Sequence, residues 1–177
     1  MTTGARMLAD DPAASIAAIA AEAGVDRRTV YRRFATREDL LASIYEARLA
    51  AIERATEDAR LREAPVAVAL HRYVEGIIAV NRTWPVDLSR MLAEDPVRER
   101  RERSVRALAD FLRRATDEGV LRPGLPDGWA IAVLPQLMNI AARQLTTLTP
   151  AQAADTVVDA LLTGLGAARV TPLTPEH

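Results

Sequence analysis

Between Arg27 and Arg37 the chain carries five arginines, three hydroxyl-bearing residues (Thr29, Tyr31 and Thr36) and no acid. Guanidinium forks match phosphate oxygens and the O6/N7 edge of guanine, so this density points to a polyanion. The stretch follows Ala23-Gly24-Val25-Asp26, the tight glycine turn of a helix-turn-helix. Asp26 is the N-cap of a second short helix from Arg27 to Phe34, in which Val30 and Phe34, at i and i+4, pack inward against Ile16 and Ile19. Arg27, Arg28, Thr29, Tyr31, Arg32 and Arg33 are left on the outer faces. A helix in the major groove reads bases from its first turns, while hydroxyls and arginines hold phosphates. The free N–H groups that open the next helix, beside Arg37, favour a phosphate as well. Double-stranded DNA is therefore the expected partner. On composition and spacing alone, a solvated arginine face on a helix pair that never meets DNA stays open.

The elements that must position this motif are helical throughout. Of 177 residues 49% are apolar but only 4% aromatic, and alanine, leucine and arginine dominate, which favours helix over strand. A first helix is expected at Ala5–Asp10, stopped by Asp11-Pro12. The next covers Ser15–Ala23, with Ile16, Ile19, Ala20 and Ala23 on one face. A fourth opens at the capping-box-like Thr36-Arg37-Glu38-Asp39, turns Leu40, Leu41, Ile44 and Ala47 inward and continues to Ala59. Beyond it come helices over Pro65–Asn81, a short one after Trp84-Pro85, and one from an Asp95 N-cap to Gly119, whose inward stripe is Val97, Ser104, Val105, Leu108, Leu112 and Ala115. Another starts near Asp127 and is kinked by Pro135. A last one begins at Thr149-Pro150-Ala151-Gln152 and presents Val157, Val158, Leu161, Leu162 and Leu165. The fold class is all-α: a helix-turn-helix DNA-binding head over residues 1–46, a helical ligand-sensing and dimerising body over 47–170, and a disordered tail over 171–177.

All 23 basic residues are arginine, and the net charge is −1, so nucleic-acid affinity must come from a local patch. With no cysteine, disulfides, thiolate metal sites and thiol nucleophiles are excluded. No apolar run reaches membrane-span length and Met1-Thr2-Thr3-Gly4 does not read as a signal peptide, so a cytoplasmic protein with no membrane partner is expected.

The segment Ile19-Ala20 through Ala23-Gly24-Val25, then Arg28-Thr29-Val30-Tyr31 to Phe34, then Thr36-Arg37-Glu38-Asp39-Leu40-Leu41, resembles the signature of the tetracycline-repressor family, I-A-x-x-A-G-V-S-x-x-T-[LV]-Y-x-[HR]-F-x-[ST]-[KR]-E-x-L. The Glu118-Gly119-Val120-Leu121-Arg122-Pro123 corner before the last two helices also resembles that family's body. The resemblance implies a repressor that binds a palindromic operator as a homodimer and is released by a small-molecule inducer. It implies that Arg27 and Arg28 read bases, that Thr29, Tyr31 and Arg32 contact phosphates or bases, and that Arg37 holds a phosphate. Arg33 stands where the family often has histidine; a phosphate contact and a structural role are both implied. The last two helices resemble the family's dimerising pair. One feature departs: only Thr2–Asp10 precede Pro12, with Arg6 the sole basic residue, whereas the family's first helix has about four turns behind a basic arm. A missing first helix would strip packing from the head and weaken DNA binding.

In the body, Arg82, Trp84, Met91, Phe111, Gln136, Met138 and Asn139 are candidates to line a ligand cavity between helices, with core filling or dimer contact as the alternative for each. The Arg98–Arg114 stretch holds seven arginines against Glu99, Glu102 and Asp110; i,i+4 pairing on a solvated face explains it better than a second anion surface. His71 and His177 are the only histidines and have no ligand spacing, so no metal or cofactor is expected; Glu75, at i+4 from His71, suits a surface bond. No Ser-His-Asp, paired-carboxylate or phosphate-loop pattern suggests an enzyme. The rival class is a helical interaction or sensing protein whose short head no longer binds DNA.

Overall fold

A computed structural model of the protein describes residues 1–86 and 95–163, the side chains of 95 and 96 excepted. The expected short helix after Pro85, Met91, the capping side chain of Asp95, Leu165 and the tail over 171–177 lie outside the described residues. All regular elements described are helices: α1 (Thr2–Asp10), α2 (Ile16–Glu22), α3 (Arg27–Arg33), α4 (Arg37–Asp58), α5 (Val66–Thr83), α6 (Asp95–Asp117), α7 (Trp129–Gln144) and α8 (Pro150–Thr163). The all-α expectation holds, with termini shifted by one to three residues.

Two hydrophobic cores form. The smaller gathers Ala5 and Leu8 of α1, Ile16 and Ile19 of α2, Phe34, and Leu40 and Ile44 of α4. Short as it is, α1 thus still packs on the head, and its Gly4 sits where a Cβ would meet Ile19 at 3.2 Å and Ile44 at 3.3 Å. The larger core is centred on α5, whose Leu70, Val74 and Ile78 are fully buried among α4, α6, α7 and α8. Gly76 of α5 lets that helix approach α4, since a Cβ there would lie 3.0 Å from that of Ala55. Ile52 and Trp84 pack against both cores and join them.

Capping follows local chemistry. Thr36 and Asp39 exchange side-chain and backbone bonds in a capping box at the start of α4, and Thr149 and Gln152 do the same before α8. Gly24, at φ +63°, closes α2 in a Schellman turn: Val25 N–H donates to the Ala20 carbonyl and Gly24 N–H to that of Ala21. Three expectations change, and one open alternative is decided. Ala23 is exposed, because this turn carries it off the inward face of α2. Val105 is 45% exposed, because the stripe of α6 meets the core only from Leu108 onward and faces a cavity before it. Leu162 is 39% exposed on the outer side of α8, whose buried positions are Ala153, Ala154 and Val157. Phe111, for which pocket lining and core filling both stood open, is 2% exposed within the large core beside Leu108 and Leu112.

Candidate functional site

The head presents α3 as its outward helix. Asp26 caps it, its Oδ1 accepting from Arg28 N–H at 2.8 Å and Thr29 N–H at 3.2 Å. Phe34 is buried and Val30 half-buried against the head core, so one face of the two-turn helix is fixed. The pairs Arg27/Tyr31, Arg28/Arg32 and Thr29/Arg33, each at i,i+4, form three columns on the remaining surface, and all six residues are exposed. The Arg27 guanidinium lies 5.2 Å from the centroid of the Tyr31 ring, which is itself 40% exposed. Among the described residues, ion pairs engage Arg98, Arg100, Arg106, Arg113, Arg114 and His71, and none reaches α3. Cationic columns on an anchored helix, without internal counter-charges, can grip a phosphate backbone and present forks to base edges.

Arg37 is different. It is half-buried; its Nε donates to the Ala14 carbonyl at 3.3 Å and its Nη2 to the Pro12 carbonyl. It braces the α1–α2 connection against α4, a role the sequence reading missed because the acceptors are main-chain atoms more than twenty residues away.

In the body, α4, α5, α6 and α7 enclose a cavity of about 680 Å³. Met138 and Asn139, two of the residues singled out from the sequence, stand on its lining. Arg82 instead donates to the carbonyls of Leu145 and Leu148, both at 2.8 Å, and holds the α7–α8 turn. Trp84 joins the two cores, Phe111 fills the larger one, and Gln136 is exposed outside the lining. The lining also includes Arg48, Tyr73, Asn81, Arg101, Ser104 and Arg143, none of which the sequence singled out for this role. Burial pushes the Tyr73 hydroxyl up to about 12, so it stays a neutral donor. A polar chain crosses the wall: Arg48 Nη2 donates to Asn81 Oδ1 at 2.9 Å, and Asn81 Nδ2 to Asn139 Oδ1 at 2.9 Å, linking α4, α5 and α7.

The other charged clusters are structural. Arg100 holds Glu53 with two bonds, at 2.8 and 2.5 Å, and Glu46 with a third at 2.5 Å, fastening α6 to α4. The hydrogen bonds from Arg100 hold the Glu53 carboxyl below its ordinary range, and those to Glu53 and Glu46 raise the guanidinium. His71 Nε2 meets Asp155 at 2.9 Å and its Nδ1 lies 3.9 Å from Glu75, a bond between α5 and α8. No described helix is long and apolar enough to cross a membrane.

Known proteins share this arrangement. The sequence profile of the bacterial regulatory proteins of the tetR family matches residues 4–44, the helices α1 to α3 and the start of α4. The HTH-type transcriptional repressor LfrR of Mycolicibacterium smegmatis is 33% identical over 174 residues, spanning 93% of this chain and 85% of that protein. The crystal structure of LfrR from Mycobacterium smegmatis in complex with proflavine superposes with a TM-score of 0.72 at 28% identity, over 94% of this chain and 93% of that one. The regulator PfmR from Thermus thermophilus shares the fold, with a TM-score of 0.72 at 22% identity over 93% of this chain and 97% of its own. The chain belongs to the tetR family of bacterial regulatory proteins and is a DNA-binding transcriptional regulator rather than an enzyme.

Proposed function

We propose that the protein is a repressor that binds a two-fold operator as a homodimer and is released when a small molecule fills the body cavity. The carrying observation is the continuity of α4. Its first turns, with Leu40 and Ile44, belong to the head core, and further along the same helix Leu49 and Ile52 line the cavity. A helix is stiff over this length, so a ligand that shifts the wall shifts the head. The Arg48–Asn81–Asn139 chain gives α4 a second tie to the wall. Residues 1–46 act as the head and 47–170 as the body, the division falling within α4. DNA and ligand then favour different states, with a reciprocal coupling of about 1–3 kcal/mol.

Repression and small-molecule control are supported by the likeness to LfrR, a transcriptional repressor whose crystal structure holds proflavine. Dimerisation is supported by apolar side chains on the outer faces of the last two helices: Trp129 at 55%, Ile140 at 57% and Leu162 at 39% exposure. Two heads so joined place α3 in successive major grooves, about 34–36 Å apart or a multiple of that. Arg27, Arg28, Thr29, Tyr31, Arg32 and Arg33 make the contacts, and Arg37 sets the head they stand on.

Mobility shift on the duplex upstream of the protein's own coding sequence, with and without metabolite extract, tests this reading. The extract should release the wild type more readily than Val105→Trp, whose indole narrows the cavity that Val105 lines. Release of both equally, or a monomer by sedimentation at micromolar concentration, would contradict it.

A further inference from the structure

The cavity has a charge that selects its ligand. Its lining is mixed, and Leu49, Ile52, Ile77, Leu108, Ile131 and Met138 form its apolar part. Among the described residues that line it there is no aspartate or glutamate, whereas Arg48, Arg101 and Arg143 are present; Arg48 is bonded to Asn81 and to the Trp84 carbonyl. Four described acids of α4 and α6 are engaged elsewhere. Glu46 and Glu53 pair with Arg100, Glu102 with Arg98 and Arg106, and Asp110 with Arg113. Arg101 lies among these pairs on α6 and, among the described residues, joins none of them. Arg143 stands on α7, a helix without a single acidic residue. Ser104, Asn139 and the Tyr73 hydroxyl add neutral hydrogen-bonding groups to the same wall.

We infer that the effector is an amphipathic organic anion, with its apolar body in the cavity and its anionic head held by Arg101 and Arg143. This rests on the cavity being the effector site. Guanidinium groups on the lining of such a cavity bind an anion through charge-assisted bonds and repel a cation of the same shape. The volume, about 680 Å³, falls within the range of roughly 300–1,000 Å³ usual for drug-sized ligands, so the body of the molecule contributes as well as its head.

The test uses the full chain and four probes below their aggregation concentrations: dodecanoate, dodecanol, dodecylammonium and acetate. Calorimetric titration is repeated on Arg101→Gln/Arg143→Gln and on Val105→Trp, with circular dichroism checking that each is folded. Both arginines are exposed, so folding is expected to survive. Dodecanoate should bind at least about tenfold more tightly than dodecanol, with dodecylammonium and acetate weaker still. The double variant should bring dodecanoate down to the level of dodecanol, and Val105→Trp should weaken both. Equal affinity for the three long-chain probes, a preference for the ammonium, or no dodecanoate binding would overturn the anion assignment. If dodecanoate binds but Val105→Trp leaves its affinity unchanged, the site lies elsewhere and the cavity reading falls with it.

Discussion

Two helices of this protein are rich in arginine, and they do opposite things with it. In α3 and the residues to Arg37 there are five arginines and no acid, while the Arg98–Arg114 stretch of α6 has seven with three acids interspersed. On α6 the charge is largely consumed: Arg98 and Arg106 share Glu102, Arg113 takes Asp110, and Arg100 fastens the helix to Glu46 and Glu53 of α4. Arg114 reaches the carbonyls of Arg62 and Ala64, both at 2.7 Å. On α3 the four guanidinium groups are on exposed residues, and among the described residues the ring contacts to Tyr31 and Phe34 are the ones that engage them. The count of arginines therefore does not identify the nucleic-acid surface. The absence of internal counter-charge, on a helix whose other face is locked, is what supports the reading of α3 as that surface.

The comparison breaks most severely if the locked face of α3 is removed. Phe34→Ala should cost about 3 kcal/mol of stability by denaturant titration and abolish DNA binding with it. Next in size is Arg28→Ala, which should weaken specific binding by about 1–3 kcal/mol in a quantitative binding assay without altering the unfolding midpoint. The loss should concentrate at one operator position, whose base preference relaxes. Arg37→Ala should differ from it, lowering both binding and the melting temperature of the head, because Arg37 braces the Pro12 and Ala14 carbonyls.

On α6 the effects should fall on stability alone and be smaller. Glu53→Gln breaks a bidentate pair and should cost about 1 kcal/mol near neutral pH, while DNA affinity per folded molecule is unchanged. The sign in pH follows from the lowered folded-state pKa of Glu53. Its stabilisation is present above the ordinary carboxylate value of 4.5 and is lost as pH falls through the lower folded value. Acid titration of wild type against Glu53→Gln should show the gap closing in that window. Smallest of all, Arg106→Ala removes an exposed pair at 3.5 Å and should change stability by less than about 0.5 kcal/mol.

The head was largely legible in the sequence because its determinants are local. The Asp26 cap, the Gly24 turn, the Val30/Phe34 pair and the Thr36–Asp39 box each act over five residues or fewer. Arg37 escaped because its acceptors are main-chain oxygens across the fold, which no side-chain pattern reveals. The cavity was barely legible. Met138 and Asn139 stand on its lining, while Val105, read as part of an inward stripe, forms cavity wall, since an apolar stripe does not say what it faces. Arg101 and Arg143 resemble any other surface arginine until the fold sets both on the lining of the cavity. The Arg48–Asn81–Asn139 chain joins three helices far apart in sequence and has no sequence signature.

The most direct test removes equal charge from the two helices. One variant carries Arg27→Gln, Arg28→Gln, Arg32→Gln and Arg33→Gln; the other carries Arg98→Gln, Arg103→Gln, Arg106→Gln and Arg113→Gln. Affinity for the upstream duplex is measured over a salt series for both and for the wild type. The α3 variant should lose at least roughly a hundredfold in affinity, and its log–log salt slope should fall by about 0.9 for each phosphate contact removed. The α6 variant should bind like the wild type with an unchanged slope. Equal losses in the two variants, or a loss confined to α6, would contradict the assignment of α3 as the DNA-reading helix.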